Sequence, residues 1–461
     1  MSGSALADGT AIMSLVDEGS RTVAARVHVD EEIFRLEHER LFSRAWIALG
    51  HESELPDANS FVTRYLGLDP VVVTRSDDGT FTTFLNVCSH RGMQVCRAEA
   101  GSARRFTCPY HGWTFDTSGA LRGVPLERER YGPAFDKGGR GLRQARTETY
   151  AGWIFATWDE EAPSLVDYLG DFRWYMDLMW LRTDAGMEVA GPPQRWVIPC
   201  NWKLAVDQFS GDAYHGLWLH RSLREIDYMP GGSDGGIEGV YGHDISVDGH
   251  STRCADMTPI VEAAGSTRGA LAMMPPPGMS VDQLPELYSR YDDATIDLLA
   301  THPPLGGTIF PSLSWLCLRM PTAHGTLGSV ITPRIWIPRG VDRTEVLLWP
   351  MVERGASDEE RQATIATTIQ NFSSSGIWEQ DDAESWASIQ RNLAGDAGRK
   401  ARFDYSSSFE PDGAGWPGGG DVWPGVNGDN CQWGFWRRWR SFVAGDPWSA
   451  SAPVRMSEVA G

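Results

Sequence analysis

Four residues constrain this 461-residue chain more than anything else in it: Cys88-x-His90, then 17 intervening residues, then Cys108-x-x-His111. Each short motif brings one thiol and one imidazole, so the chain must fold two loops against each other to assemble the four donors. Two Cys and two His hold a zinc ion in a closed tetrahedral site. They equally hold a [2Fe–2S] cluster, with both Cys on one iron and both His on the other. Structural zinc sites pair like with like, as C-x₂₋₄-C and H-x₃₋₅-H. Here each motif is mixed, which suits a cluster held between two similar loops, with structural zinc as the alternative. Gly92 and Gly112 follow the motifs at matching places and let backbone N–H groups approach the sulfides, contacts that tune the potential. Cys96, between the motifs, reads as a buried bystander.

The chain around these motifs is β-type. FVTRYL (61–66), VVVTR (71–75), FTTFLN (81–86) and GWIFATW (152–158) are separated by Gly, Asp and Pro, as in a small all-β module spanning 46–165. Before it, residues 1–45 form an N-terminal arm and an amphipathic helix at 30–43, assigned to a larger domain that resumes at 166 and runs to 461. In that domain the patterns predict a helical stretch at 202–220, a Gly-rich region without clear period at 230–256, and a helix near 281–299. Strands are expected at 313–320, 329–337 and 345–352. Ser357-Asp358-Glu359-Glu360 fits a capping box and opens a helix with Ile365, Ile369 and Phe372 on one face. A second helix follows at 377–394, then an irregular segment at 411–430 and an aromatic-basic helix at 432–443. No internal repeat is present.

A net charge of −20 excludes a global field for nucleic acid or anionic membrane. No apolar run reaches 18 residues, so no transmembrane helix is expected. Met1–Thr10 lacks the pattern of a signal peptide. Seven cysteines, an odd number, argue for free thiols rather than a disulfide framework, hence a cytoplasmic protein.

A second constellation lies at His215-x₄-His220. Five residues apart, the two imidazoles are about 140° apart on a regular helix, so they meet at one ion only across a helix end or a bulge, which Gly216 permits. A third ligand is suggested by the 377–394 helix. Trp378, Trp386, Ile389 and Leu393 form one apolar stripe and Asp382 falls in its middle, with Asp381 and Glu384 on the polar side and Glu379 near the edge. A carboxylate there must be paired or bound to a cation. It belongs either to a buried salt bridge or to a two-histidine, one-carboxylate Fe(II) site with positions open for O₂.

With both constellations in place, the whole chain resembles the large (α) subunit of a Rieske non-haem iron ring-hydroxylating dioxygenase, in the branch that includes the naphthalene, polycyclic-hydrocarbon and biphenyl enzymes. The matching segments are HESELP (51–56), CSHRGMQVCRAE (88–99), CPYHGWTF (108–115), RWVIPCNWK (195–203), GDAYH (211–215) and WEQDDAE (378–384), in the family's order. The resemblance implies an α+β fold: an all-β Rieske [2Fe–2S] module inserted in a larger catalytic domain whose antiparallel sheet is flanked by helices (helix-grip, START-like). It implies that Cys88, His90, Cys108 and His111 hold the cluster and that His215, His220 and Asp382 bind a mononuclear Fe(II). Asp212 would link that iron to the cluster of a neighbouring subunit. Gln208 stands where the family places Asn or Gln, and Phe209, Gly216, Phe372 and Trp378 match pocket positions.

The implied reaction is cis-dihydroxylation of an aromatic ring with O₂ and electrons from NAD(P)H, delivered by a reductase and a ferredoxin, in aromatic compound degradation. A polycyclic or other aromatic hydrocarbon is the expected substrate. An aromatic acid such as phthalate is the alternative, with Arg221, Arg224 or another Arg reaching the cavity. A Rieske monooxygenase or demethylase would be built from the same parts. A zinc-stabilised binding protein without redox chemistry is the remotest reading of the motifs. The resemblance also implies a small β subunit in an α₃β₃ hexamer, with α₃ as the alternative.

Overall fold

β-Branched residues crowd the chain from Val62 to Thr83 and form the antiparallel strands Ser60–Leu66, Asp69–Arg75 and Phe81–Leu85, because branched side chains pack well on a pleated surface. In the computed structural model, which describes residues 5–228, 242–322, 324–407 and 415–448, these runs are the centre of a seven-stranded sheet. Its spatial order is Ile47–His51, Trp153–Thr157, Gln144–Tyr150, Phe81–Leu85, Asp69–Arg75, Ser60–Leu66 and Ala100–Ser102. A three-stranded sheet of Arg105–Thr107, Thr114–Asp116 and Leu121–Gly123 accompanies it. Phe61, Val72, Phe84, Phe106 and Phe115 pack with Cys88, Cys96 and Cys108 in one core. These elements make up a unit spanning Leu41–Tyr168.

The second unit joins Met1–Arg40 to Leu169–Gly461. Its frame is a nine-stranded antiparallel sheet in the order Gln194–Ile198, Arg343–Leu348, Arg334–Gly340, Leu313–Pro321, Pro304–Ile309, His250–Ala255, Gly242–Val247 and Asp421–Pro424, with Leu327–Ile331 paired to Leu313–Pro321. The helix Trp202–Gly211 packs across four of these strands and against the helix Asn430–Ala444. Among the described residues no helix is long and apolar enough to cross a membrane.

Several elements differ from the sequence expectation, each for a local reason. The helix predicted at 30–43 starts on the Asp30 cap and holds α geometry over Glu31–Glu37, then loosens into a π turn over His38–Phe42. Of the region read as patternless at 230–256, the stretch 230–241 lies outside the described residues, but Gly242–Val247 and His250–Ala255 are a hairpin. Its turn, Asp248-Gly249, has φ of +47° and +78°, the pattern of a tight two-residue turn that Asp-Gly favours. The helix expected at 281–299 divides at Asp292, whose side chain caps Asp293–Thr301. The strands expected at 329–337 and 345–352 each split at a proline, Pro333 and Pro350, which cannot donate to a ladder. In Asp358–Phe372 the buried face is Thr364, Thr367, Thr368, Asn371 and Phe372, while Ile369 is exposed. Ser357 caps that helix, but Glu360 turns away to accept from Ser329 Oγ at 2.5 Å, so only half of the expected capping box forms. The irregular segment at 411–430 contributes an edge strand, Asp421–Pro424, and its residues 411–414 lie outside the described residues.

Two buried carboxylates fasten the Trp202–Gly211 helix. Glu37, fully buried, meets the equally buried Lys203 ammonium at 2.6 Å and accepts from Trp202 Nε1 (3.0 Å) and Trp439 Nε1 (2.8 Å). One turn further on, Asp207 accepts from Trp436 Nε1 (2.8 Å) and Tyr405 Oη (3.2 Å).

Removing one member of a buried ion pair strands the other charge, at a cost of about 3–5 kcal/mol. Glu37→Ala and Lys203→Met should each lower the unfolding free energy by about that much in denaturant titrations, and the double variant by less than either alone. Asp207 gives a pH prediction. Burial pushes its carboxyl up from 3.8 to about 8, against the hydrogen bond from Trp436. The folded chain thus keeps a proton that the unfolded chain releases, so this group erodes stability as pH rises from about 4 to 8. Asp207→Asn removes that contribution. Relative to the variant, the wild type should lose on the order of 3 kcal/mol between pH 5 and 8 in urea unfolding.

Candidate metal centres

In the Leu41–Tyr168 unit, the two Cys–His motifs form loops with the same internal hydrogen bonds. Cys88 N donates to Met93 O at 2.8 Å and Gly92 N to Cys88 O at 2.8 Å; Cys108 N donates to Trp113 O at 2.8 Å and Gly112 N to Cys108 O at 3.0 Å. The fifth residue of each loop has a left-handed φ, +76° at Gly92 and +74° at Gly112, which glycine adopts without steric cost. At Gly112 a Cβ would also come within 2.8 Å of Pro125. Buried Asn86 fastens the chain after the first loop, accepting from Val95 N and Cys96 N and donating to Cys96 O.

The Cys88 and Cys108 side chains are buried, whereas His90 and His111 are half-buried. The two imidazoles face each other with centroids 4.6 Å apart, and His90 stacks on Trp113 at 4.7 Å. Among the described residues only His215, His220 and Asp382 offer three ligand atoms within 4.8 Å of one another, so the Cys–His quartet does not. The donors of a tetrahedral zinc site all lie within about 4 Å of each other. The quartet is therefore not gathered around a single ion, and its donor set fits a two-iron cluster.

In the larger unit the stretch expected as one helix over 202–220 is two helices, with a third just beyond it. Trp202–Gly211 is capped by Asn201, whose side chain accepts from Lys203 N at 3.1 Å. It ends at Gly211, where a Cβ would stand 2.6 Å from Cys431 Cβ. After Asp212–Tyr214 come His215–Trp218 and Arg221–Glu225. This break lets His215 and His220 meet. Asp212 Oδ1 accepts from His215 N at 2.9 Å, and Asp212 O lies 2.6 Å from His215 Nδ1. A carbonyl only accepts, so Nδ1 carries the proton and Nε2 carries the lone pair. Asp381 Oδ2 lies 3.3 Å from His220 Nδ1 and fixes the second imidazole the same way.

Both Nε2 atoms then face Asp382 Oδ1, at 3.6 Å from His215 and 3.4 Å from His220. Asp382 is buried and Oδ1 has no hydrogen-bond partner. Donors sharing an ion at about 2.1 Å stand roughly 3.0–3.5 Å apart, so the trio fits a cation. The salt bridge belongs to a different carboxylate. Glu379, also buried, pairs with Arg334 at 2.7 Å; burial pushes its carboxyl up to about 7 while Arg334 pulls it down. Burial opposes ionisation of Asp212 too, but the hydrogen bond and charge of His215 outweigh it and hold that carboxyl below its ordinary value.

The trio opens on a cavity of about 180 Å³. Gln208, Phe209, Asp212, Gly216, Phe372 and Trp378 all line it. Gln208 accepts from Trp386 Nε1 at 2.8 Å, which turns its NH₂ group to within 3.2 Å of His215 Nε2. Trp378 lies edge-on to His220 at 4.5 Å, and a Cβ on Gly216 would meet nothing within 4 Å. Arg221 and Arg224 do not line the cavity: Arg221 pairs with Glu225, and Arg224 donates to Leu217 O. Sequence reasoning missed Arg253, Leu305, Leu316, Leu318 and Val426 in the wall, and the role of Asp381. Leu305 and Leu318 also line a second cavity of about 340 Å³.

Comparison with known proteins gives the same division. Residues 45–145 match the Rieske [2Fe-2S] domain and residues 167–414 the ring hydroxylating alpha subunit catalytic domain. The chain is 35% identical over 459 residues to the biphenyl 2,3-dioxygenase subunit alpha of Rhodococcus jostii (strain RHA1), covering 96% of this chain and 94% of that one. It is 35% identical to the benzene 1,2-dioxygenase subunit alpha of Pseudomonas putida, with 96% of each covered. Its fold superposes on the crystal structure of naphthalene 1,2-dioxygenase from Rhodococcus sp. bound to indole with a TM-score of 0.83, at 36% identity over 92% of this chain and 95% of that one.

Asp382→Ala should yield protein that lacks the mononuclear metal yet keeps the visible spectrum of the cluster, as read by iron and sulfide analysis. Asp381→Ala leaves the ligand trio intact but frees His220 to rotate, and should weaken Fe(II) binding by about 10–100-fold.

Proposed function

The chain belongs to the family of ring-hydroxylating dioxygenase α subunits, and from that premise we propose which of its residues do the work. It is an oxidoreductase that dihydroxylates an aromatic ring in aromatic degradation, with a Rieske [2Fe–2S] cluster and a mononuclear iron as cofactors. α subunits of this kind operate within multicomponent systems. We assign the cluster to Cys88, His90, Cys108 and His111 in the 46–165 module, and the iron to His215, His220 and Asp382 in the catalytic domain. The observation that carries the second assignment is the meeting of two oriented imidazole Nε2 atoms with a buried, unpartnered carboxylate oxygen on the wall of an apolar cavity.

The bound metals supply electron transfer and oxygen activation. The chain supplies position, orientation and a dry site. Phe209, Leu316, Leu318, Phe372 and Trp378 exclude water and hold a flat apolar ring. The three ligand atoms lie together in the wall, so the ring presents one face to them, which suits cis addition of two hydroxyls. The cavity slightly exceeds the roughly 150 Å³ apolar cavity known to admit benzene. That size favours one ring, or two fused rings if the Gly216 side is used, with an aromatic hydrocarbon as the basic substrate. Asp212 grips His215 through its main chain and side chain, and we assign it the link between the iron and the cluster of a neighbouring α subunit. A small β subunit in an α₃β₃ hexamer, and a ferredoxin fed by an NAD(P)H-dependent reductase, complete the system. The protein is placed in the cytoplasm, in keeping with seven buried cysteines that are all unpaired.

Supplied with its electron donors, an aromatic hydrocarbon and ¹⁸O₂, the enzyme should release a cis-dihydrodiol carrying two labelled oxygens. A product with one labelled atom would instead mark a monooxygenase. Asp212→Ala should retain both metals by iron analysis and lose at least about 100-fold in multiple turnover; unchanged turnover would remove Asp212 from the electron path.

A further inference from the structure

The catalytic cavity holds one side chain that an aromatic hydrocarbon does not require. Arg253, on the strand His250–Ala255, is 8% exposed and lines the cavity beside the ligand trio. A guanidinium has five N–H donors in a planar fork. Arg253 uses one of them, Nη2, on Phe209 O at 3.3 Å, a long contact near the end of the helix Trp202–Gly211. Among the described residues it makes no ion pair. Its cross-strand neighbour Asp244 is 1% exposed and accepts no hydrogen bond at either carboxylate oxygen. Burial pushes the Asp244 carboxyl above its ordinary value while the charge of Arg253 pulls it down, and no ion pair joins the two side chains. Asp212, the other nearby carboxylate, is engaged with His215.

A buried cation with donors to spare is costly unless something fills them. We propose that Arg253 is a specificity-determining residue that receives the carboxylate of a single-ring aromatic acid in the iron cavity. The guanidinium fork matches a planar carboxylate through two parallel N–H···O bonds. The space agrees: about 180 Å³ leaves room for a small substituent beyond the roughly 150 Å³ that takes benzene. Anchoring the carboxylate also fixes which edge of the ring meets the ligand trio, so Arg253 sets regiochemistry as well as affinity. The inference rests on the dioxygenase reading above and extends its substrate range from aromatic hydrocarbons to single-ring aromatic acids.

The test uses the complete holoenzyme with its electron donors and compares benzoate with nitrobenzene, a neutral molecule of nearly the same shape, and with toluene. The wild type should favour benzoate over nitrobenzene at least tenfold in kcat/KM. Arg253→Met should lower that ratio about 100-fold, mainly through the KM for benzoate, and Arg253→Lys, which keeps the charge but loses the fork, should restore part of it. Iron content and the cluster spectrum monitor the structural contribution of the Phe209 contact. If Arg253→Met slows all three substrates equally, the residue only clamps the helix end and the proposal fails. A wild type that oxidises toluene and nitrobenzene but not benzoate overturns it and leaves the dioxygenase reading standing; no oxidation of any ring by metal-replete enzyme overturns both. Should Arg253→Met not fold, equilibrium dialysis of labelled benzoate against wild-type holoenzyme decides. Saturable binding near one per α subunit, displaced by unlabelled benzoate and far less readily by nitrobenzene, supports the proposal, and its absence refutes it.

Discussion

A single carboxylate that never meets water organises the catalytic unit. Glu37 comes from the first helix, Lys203 and Trp202 from the helix Trp202–Gly211, and Trp439 from the last helix, so one buried charge collects the two ends of the chain around its middle. Every oxygen of that carboxylate is used, which is the condition under which a buried polar network rigidifies rather than destabilises. The grip then repeats along one face of the helix. Lys203, Asp207 and Gly211 are spaced at i, i+4 and i+8 and meet Trp439, Trp436 and Cys431 on the final helix. The flank of the same helix carries Gln208, which reaches Trp386 and His215. The helix that leads into the His215–His220 segment is thus held by a helix–helix contact made with an ion pair and indoles.

Much of the site was legible because metal chemistry dictates residue type and spacing. The mixed Cys–His motifs announced two similar loops. The centre of an apolar stripe singled out Asp382 among four neighbouring carboxylates. Where the sequence reading fell short, the missing information was a partner distant in the chain. Nothing near Glu379 reveals that Arg334 reaches it, so the stripe could not say which carboxylate was salt-bridged and which was left for a cation. Asp381 was assigned to the polar side because a helical wheel gives direction but not the loop it meets, and that loop carries His220. Arg253 was invisible for the same reason.

Local structure was missed where composition hid the period. The strands Gly242–Val247 and His250–Ala255 are rich in Ser, Thr, His and Asp, yet they are mostly buried because other elements cover them. Only the Asp-Gly turn between them betrayed the hairpin. The helix Asp358–Phe372 turns threonines inward and leaves an isoleucine outside, the reverse of a simple hydrophobic pattern. Tertiary packing against the strand Leu327–Ile331 decides that face.

The cavity is built from two independent sources. Helices and their connections hold His215, His220, Asp382, Asp212 and Gln208, whereas strands carry Arg253, Leu305, Leu316 and Leu318 in the wall. Changes in the strand residues therefore leave the ligand set in place, and the two leucines at 305 and 318, shared with the larger neighbouring cavity, are where such changes alter the available space most. The shape offered to a ring is thus written in the sheet and the donors that face it in the helices, so the two can be altered separately.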